Sequence, residues 1–235
     1  LHDAYKSIIE AFVHSGIENN VKVNLKWIDS EKLELGKLKS SIFDNVDGIL
    51  IPGGFGDRGI EGKIISSKIA REKKIPFLGI CLGMQCAIID YARNVCSLKN
   101  ANSTEFIKKV KYPVIDIMKS QKDISSKGAS MRLGSYKCKV KSSTKAYAAY
   151  NKKIIHERHR HRYEVNNKFI DKLVDKGLVI SGHNEEFDLV EMIEIKDHPW
   201  FIGVQFHPEL KSRIVNTHPL FKDFIYAAKY YNESK

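Results

Sequence analysis

The residues best suited to chemistry lie in the stretch Pro76–Gln85, where a cysteine stands between two glycines. An apolar run ends at Gly79-Ile80-Cys81-Leu82-Gly83, and a helical pattern begins at once. This pattern predicts a nucleophile elbow, a tight strand-to-helix turn that lifts one side chain clear of the sheet. Glycines are needed on both sides because a Cβ would crowd the turn. We therefore expect the Cys81 thiol to lie at a helix N-terminus, where the helix dipole lowers its pKa and favours thiolate.

The other cysteines lack this glycine frame. A single cysteine after an apolar strand is usually a buried core residue, and this is the interpretation for Cys86, Cys96 and Cys138. No two cysteines form a CxxC pair, so cysteine ligation of a metal is not expected. Free thiols indicate the reducing cytoplasm as the compartment.

A thiol nucleophile needs a base, and the base needs a partner that orients it. Gln205-Phe206-His207-Pro208-Glu209 follows another apolar run, so His207 is the candidate base and Glu209 the carboxylate that holds its imidazole. The run Ile51–Gly56 is a glycine-rich loop after a third apolar run. Its backbone N–H groups could stabilise an oxyanion, or it could be an ordinary tight turn.

Periodicity of the apolar residues predicts the elements that position these groups. The predicted helices are 3–15 (with Asp3 as N-cap and Gly16 as its end), 60–73, 82–93, 166–176 and 219–232. The predicted strands are 21–27, 46–52, 75–80, 112–118, 131–140, 154–163, 187–195 and 199–206. Alternating strands and helices indicate one α/β domain over 1–235: an open, mostly parallel sheet flanked by helices, with a β-rich insertion. Residues 119–130 are predicted to be a mobile loop.

Composition and charge narrow the function classes. The 235 residues are 43% hydrophobic and 29% charged, which is typical of a globular domain. The formal net charge of +11 invites a nucleic-acid interpretation. However, lysine far outnumbers arginine and is mixed with acidic residues, which favours a solvated surface. The longest apolar stretch is about half a membrane span, and no secretory leader opens the chain, so neither membrane insertion nor secretion is expected.

Taken in order, the Pro-Gly-Gly, Gly-Ile-Cys-Leu-Gly-Met-Gln and Phe-His-Pro-Glu motifs resemble the class I (triad) glutamine amidotransferases, which have a flavodoxin-like fold. More narrowly, the chain resembles the glutaminase domain of the CTP synthase family. The segments that carry this narrower resemblance are Asp3–Ser7, Gly53–Gly59, Asn100–Phe106, Met131–Gly134 and Glu157–Asn166.

The resemblance implies a role for each matching residue. Cys81 would be the nucleophile, His207 and Glu209 its base and orienting acid, and the backbone amides of Gly54 and Leu82 the oxyanion hole. The residues implied to bind glutamine are Gly54, Phe55, Leu82, Gly83, Met84, Gln85, Glu105 and Arg162. Charges of opposite sign, as on Glu105 and Arg162, suit the ammonium and carboxylate of an amino acid.

The resemblance also implies partners. This domain would need no metal or cofactor, whereas ATP, magnesium and UTP would bind an amino-terminal synthetase domain. The chain contains no Gly-x-x-x-x-Gly-Lys-Ser/Thr loop, and its first helix begins almost at residue 1, so we expect a piece of a longer protein. GTP would act as an allosteric activator at the domain interface, beside Phe55. The full enzyme is expected to be a cytoplasmic homotetramer that binds neither nucleic acid nor membrane specifically.

The stretch Arg158–Arg162 stays open to three interpretations. His159 and His161 could share one face of a strand and ligate a metal, although the flanking arginines would repel a cation. The stretch could instead bind phosphate or RNA. We prefer recognition of a substrate carboxylate by Arg162.

Other functions considered for the chain are a different triad amidotransferase and a γ-glutamyl hydrolase. A nucleic-acid or scaffolding module on an inactive amidotransferase fold was also considered, and the intact triad disfavours it.

Overall fold

The computed structural model describes residues 2–117 and 131–235, so the predicted loop 119–130 lies outside the described residues. Its α-helices are α1 Lys6–Glu18, α2 Ser30–Glu34, α3 Ile60–Glu72, α4 Leu82–Asn94, α5 Lys145–Tyr150, α6 Ile170–Val174 and α7 Pro219–Glu233. Its strands are β1 Ile49–Ile51, β2 Phe77–Ile80, β3 Ala101–Ser103, β4 Tyr112–Ile117, β5 Arg132–Val140, β6 Ile154–His161, β7 Tyr163–Val165, β8 Leu178–Asn184, β9 Leu189–Ile195 and β10 Phe201–Val204. Short 3-10 turns cover His2–Tyr5, Ser40–Phe43, Asn167–Phe169 and Pro208–Leu210.

The main sheet has seven strands in the order β1-β2-β10-β9-β8-β5-β6. Strands β1, β2 and β10 are parallel to one another, and the pairs from β10 through β6 are antiparallel. Strands β8, β9 and β10 follow each other through connections too short for a parallel crossover, which requires about a dozen residues. A second sheet has the order β3-β4-β7. The predicted α/β fold, with helices flanking the sheet and a β-rich insertion, is confirmed. The candidate catalytic residues follow the parallel strands β2 and β10.

Helices cover both faces of the parallel strands. All residues of β2 and β10 are buried, as expected for strands covered on both sides. Phe77 and Phe201 face the α3–α4 side, where their rings stack with centroids 4.2 Å apart. Leu78 and Ile80 face the opposite side, in a second core cluster with α1 and α7. Packing on both faces fixes the end of β2, from which the candidate nucleophile projects.

Two predictions at the start of the chain are wrong. Helix α1 begins at Lys6 after a 3-10 turn that contains Asp3, and it continues to Glu18, so Gly16 lies inside it. Gly16 serves close packing instead, since a Cβ there would lie 2.8 Å from the carbonyl oxygen of Val21. The predicted strand 21–27 belongs to neither sheet. It lines a groove of about 880 Å³ together with β1, and alternation of side chains cannot make a strand without a neighbour at hydrogen-bonding distance.

Among the described residues, five elements were not predicted, namely β3, β7, β8, α2 and α5. They are three to seven residues long, and short segments carry little periodicity. The predicted strand 154–163 ends at His161, and β7 begins at Tyr163 in the second sheet. In the parts of the chain that the structure describes, no helix has the length and apolar character needed to cross a membrane.

Candidate active site

Cys81 occupies a one-residue turn between β2 and α4. Its backbone has φ 52° and ψ −103°, a conformation that side chains other than glycine rarely adopt. Neighbouring backbone groups hold it: the N–H of Cys81 donates to the carbonyl of Val204 at 2.6 Å, and its own carbonyl accepts from the N–H of Gln85 at 3.2 Å. The strand–turn–helix context predicted from the sequence is therefore present.

The two flanking glycines are explained by contacts that leave no room for a Cβ. At Gly79 a Cβ would lie 2.8 Å from the backbone carbonyl of Gly83. At Gly83 it would lie 2.2 Å from the carbonyl oxygen of Ile51. Helix α4 thus approaches β1 and β2 at backbone distance, which is what a nucleophile elbow requires.

The prediction that the pKa of Cys81 is lowered is wrong. The side chain is only 3% exposed, and burial raises the pKa of its thiol to about 12. The N–H of Leu82 opposes this shift, while the carboxylates of Glu164, Glu209 and Glu105 reinforce it. Desolvation of the thiolate therefore outweighs the favourable helix N-terminus.

The raised pKa predicts slow reaction with non-specific alkylating reagents. At pH 7.5 a thiol with a pKa of about 12 is ionised to a fraction on the order of 10⁻⁵ to 10⁻⁴. We expect iodoacetamide at pH 7.5 to modify the half-buried Cys96 well before Cys81, and the Cys81 rate to rise about tenfold per pH unit between pH 7 and 9.5. Peptide mass spectrometry over a time course measures both rates. Equal modification of the two cysteines at pH 7.5 would contradict the burial argument.

His207 lies beyond the end of β10, next to β2, the strand that Cys81 follows, since Val204 pairs with Ile80. Its Nδ1 lies 2.7 Å from Oε1 of Glu209, and both side chains are largely buried. The opposite ring nitrogen, Nε2, is buried and has no hydrogen-bond partner among the described residues. An imidazole held by a carboxylate on one side, with the other nitrogen open, is the arrangement that a general base needs.

The glycine-rich loop after β1 packs against this imidazole. A Cβ on Gly53 would lie 2.6 Å from Cε1 of His207, and a Cβ on Gly54 would lie 3.2 Å from Cδ2 of Leu82. The three motifs, which are far apart in sequence, therefore meet at the carboxyl ends of β1, β2 and β10. That edge is where ligands bind in open α/β folds.

A cavity of about 360 Å³ opens at this edge. Its lining residues are Gly54, Phe55, Cys81, Gln85, Glu105, Met131, His161, Arg162 and Tyr163. Six of these were predicted from the sequence as site residues. Leu82, Gly83 and Met84 were also predicted to bind glutamine, but they do not line the cavity. The alternating arginines and histidines of β6 were a signal for His161, and the resemblance covered Met131 and Tyr163 without assigning them a role.

Opposite charges border the cavity. A carboxylate oxygen of Glu105 accepts a hydrogen bond from the N–H of Gly56 at 3.2 Å. Burial raises the pKa of Glu105, while the hydrogen bond from Gly56 and the charge of Arg162 act in the opposite direction. Gln85 has a structural contact, since its Nε2 donates to the carbonyl of Tyr163 at 3.0 Å. The cavity can therefore offer an acid, a guanidinium and a thiol to one small molecule.

Residues of β6 alternate between its two faces. His159 and His161 are buried, and their rings share a hydrogen bond of 2.8 Å between Nδ1 and Nε2. Arg158 and Arg160 are exposed, and the guanidinium of Arg160 lies 5.6 Å from the centre of the Phe55 ring. Within residues 2–117 and 131–235, no group of three or more His, Cys, Asp or Glu side chains is arranged to hold a metal ion.

The chain is similar to known proteins over nearly its whole length. Residues 1–227 match the family model "Glutamine amidotransferase class-I". The chain is 58% identical over 232 residues to a CTP synthase of Chloroherpeton thalassium, and 58% identical over 228 residues to one of Clostridium acetobutylicum. These alignments cover 98% and 97% of this chain but 42% of each relative, so the chain spans less than half of their length.

Two solved structures have a similar fold. A Trypanosoma brucei CTPS glutaminase domain with bound acivicin superposes with a TM-score of 0.90 at 36% identity, covering 97% of this chain and 89% of that one. A glutamine amidotransferase of Thermotoga maritima superposes with a TM-score of 0.54 at 16% identity, covering 93% of this chain and 76% of that one, and shares the fold.

Proposed function

Because the chain belongs to the class I glutamine amidotransferases, we propose that it hydrolyses L-glutamine to glutamate and ammonia. The proposal depends on one observation, that the candidate catalytic and substrate-binding residues lie close together. Cys81 lines a small cavity together with Glu105 and Arg162, and the His207–Glu209 pair lies at the end of the neighbouring strand.

Cys81, His207 and Glu209 form the proposed catalytic triad. With a pKa of about 12, the thiol of Cys81 gives up its proton only when a base accepts it during the attack. Nε2 of His207, which is buried and has no other partner among the described residues, is that base. Glu209 holds the imidazole through Nδ1 and stabilises the imidazolium that forms.

The reaction then proceeds in two halves. The sulfur of Cys81 forms a bond to the side-chain carbonyl carbon of glutamine, and the oxyanion accepts hydrogen bonds from the amides of Gly54 and Leu82, each worth about 3 kcal/mol. The C–N bond breaks as His207 returns a proton to the departing ammonia, which leaves a γ-glutamyl thioester on Cys81. A water that is deprotonated by His207 attacks this thioester, releasing glutamate and restoring the thiol.

Substrate recognition uses the charges that border the cavity. Glu105 receives the α-ammonium of glutamine, and Arg162 receives its α-carboxylate, through charge-assisted hydrogen bonds. Phe55, Gln85 and the backbone around Gly54 enclose the side chain of the substrate. A cavity of about 360 Å³ is at the small end of ligand sites, which favours a single amino acid.

We further propose that the chain is the glutaminase part of a CTP synthase, on the similarity to relatives more than twice its length. In that protein the ammonia would be used by an amino-terminal synthetase domain, which would bind ATP, magnesium and UTP and convert UTP to CTP. GTP would activate glutamine hydrolysis at the interface of the two domains, beside the exposed ring of Phe55. The full enzyme would be a cytoplasmic homotetramer.

A glutamine-mimicking electrophile tests the proposal directly. We expect acivicin or diazo-oxo-norleucine to add once to this chain, on Cys81, and excess L-glutamine to slow the addition because it occupies the same cavity. Mass spectrometry of the digested protein locates the adduct, and Cys96 serves as the internal control. Modification of another residue, or none on Cys81, would contradict the proposed function.

A further inference from the structure

Five buried polar side chains form a closed ring beside the cavity, and one of them, His161, also lines it. Each is at most 4% exposed, and they come from β5, β6, β7 and β9: Arg132, His159, His161, Glu164 and Glu191. The proposed mechanism uses none of them. Burying so many polar groups is costly unless they are paired with one another, so their arrangement calls for a physical reason.

Each member of this ring contacts the next. Nη2 of Arg132 lies 2.7 Å from Oε1 of Glu191, whose Oε2 lies 3.3 Å from Nε2 of His159. The rings of His159 and His161 share their hydrogen bond of 2.8 Å. Nδ1 of His161 then lies 3.4 Å from Oε1 of Glu164. The same carboxylate oxygen accepts from Nη1 of Arg132 at 3.5 Å, which closes the ring.

Burial favours the uncharged forms of the four titratable side chains that surround Arg132. Burial lowers the pKa of both histidines, that of His161 to about 3, so both are neutral near pH 7. Burial raises the pKa of Glu191 to about 7, against the opposing effect of Arg132, and raises that of Glu164 well above its usual range. The guanidinium also lies 4.2 Å from the centre of the Tyr136 ring. One arginine thus lies beside two carboxyl groups that are almost fully buried.

This ring holds the corner of the chain that forms one wall of the cavity. Arg162 and Tyr163 lie between two ring members, His161 and Glu164, and both of them line the cavity together with His161. The carbonyl of Tyr163 is also held by Nε2 of Gln85. The exposed guanidinium of Arg162 is therefore carried on a short backbone segment that is anchored at both ends.

We propose that this ring is a positioning network for substrate recognition, which sets the place of Arg162 and so the affinity for the α-carboxylate of glutamine. The inference rests on the proposed glutaminase function and extends it to residues outside the proposed triad and the proposed substrate contacts. Glu191 acts through Arg132 and His159, and it lies on β9, which contributes no cavity-lining residue. A network of this kind affects binding more than the chemical step.

The test is Glu191→Gln, which keeps the side-chain shape and changes the charge inside the ring. We expect the inhibition constant of acivicin, KI, to rise at least tenfold, because acivicin carries the same α-amino and α-carboxylate groups as glutamine. The maximal rate of inactivation should stay within threefold of the parent. The matched control is Asp90→Asn, another fully buried carboxylate, which is paired with Arg71 at 2.8 Å between α3 and α4 and does not line the cavity. It should leave both constants unchanged.

The outcomes separate the two proposals. If acivicin does not label the unsubstituted protein, the proposed glutaminase function is overturned and this inference with it. If acivicin labels that protein but KI is unchanged in Glu191→Gln, the inference alone is overturned. An equal rise of KI in Asp90→Asn also overturns it, since the effect would then be general destabilisation. If Glu191→Gln does not fold, the second variant is His159→Gln, which disturbs two ring contacts without removing a charge. We expect the same rise in KI, and an unchanged KI overturns the inference.

Discussion

Replacing Cys81 with alanine is expected to reduce glutamine hydrolysis at least about 10⁴-fold, because no other group in the cavity can form the thioester. In the full-length protein, synthesis from added ammonia should persist, since the variant leaves the proposed synthetase domain intact. Steady-state assays with glutamine and with ammonium chloride measure the two activities. Alanine is smaller than cysteine and apolar, so it fits the buried position of Cys81 and the variant should remain folded.

Cys86→Ala is the matched control. Cys86 is also fully buried, and burial raises its pKa to about 12 as well, but it does not line the cavity. We expect this control to hydrolyse glutamine within threefold of the parent. If Cys81→Ala retained glutaminase activity, or lost the ammonia-dependent reaction as well, the role of Cys81 as nucleophile would be refuted.

Replacing His207 with asparagine is expected to lower kcat for glutamine by 10²- to 10⁴-fold, the usual contribution of a general acid–base group. The effect should be large here because the thiol of Cys81, with a pKa of about 12, is almost fully protonated near neutral pH and needs a base to accept its proton. KM should change far less, since the variant leaves Glu105 and Arg162, the proposed contacts to the substrate charges, in place. Steady-state kinetics at saturating glutamine, compared with thermal unfolding of both proteins, measures the effect.

The control for His207→Asn is His183→Asn. His183 is also paired with a carboxylate, at 3.1 Å from Oδ1 of Asp188, but it lies on β8 and does not line the cavity. We expect its kcat to match that of the parent. A His207→Asn variant with parental kcat would assign the base to another group.

The elbow was predictable because its signal is local. Gly79, Cys81 and Gly83 lie within five residues, and the structure shows that backbone atoms of neighbouring elements fill the space where a Cβ would be. The parallel strands were predictable for a similar reason, since strands buried on both faces are continuous apolar runs. The link from His207 to Glu209 also spans only two residues.

What the sequence could not predict depends on contacts between distant segments. The pKa of Cys81 is set by its burial, and a dipole argument from one helix end gave the wrong direction. Residues 21–27 have the alternation of a strand, but nothing local indicates whether a partner strand is present. The ring that contains Arg132 and Glu191 joins residues almost sixty positions apart, and no spacing rule connects them.

The backbone conformation of Cys81 links the presence of its thiol to the stability of the fold. At φ 52° the residue adopts a conformation that costs about 1 to 3 kcal/mol for any side chain with a Cβ. Glycine would relieve that cost but would remove the sulfur. Selection of variants only for heat resistance would therefore tend to replace the proposed nucleophile. A more heat-resistant version of this fold has to gain its extra stability at other positions.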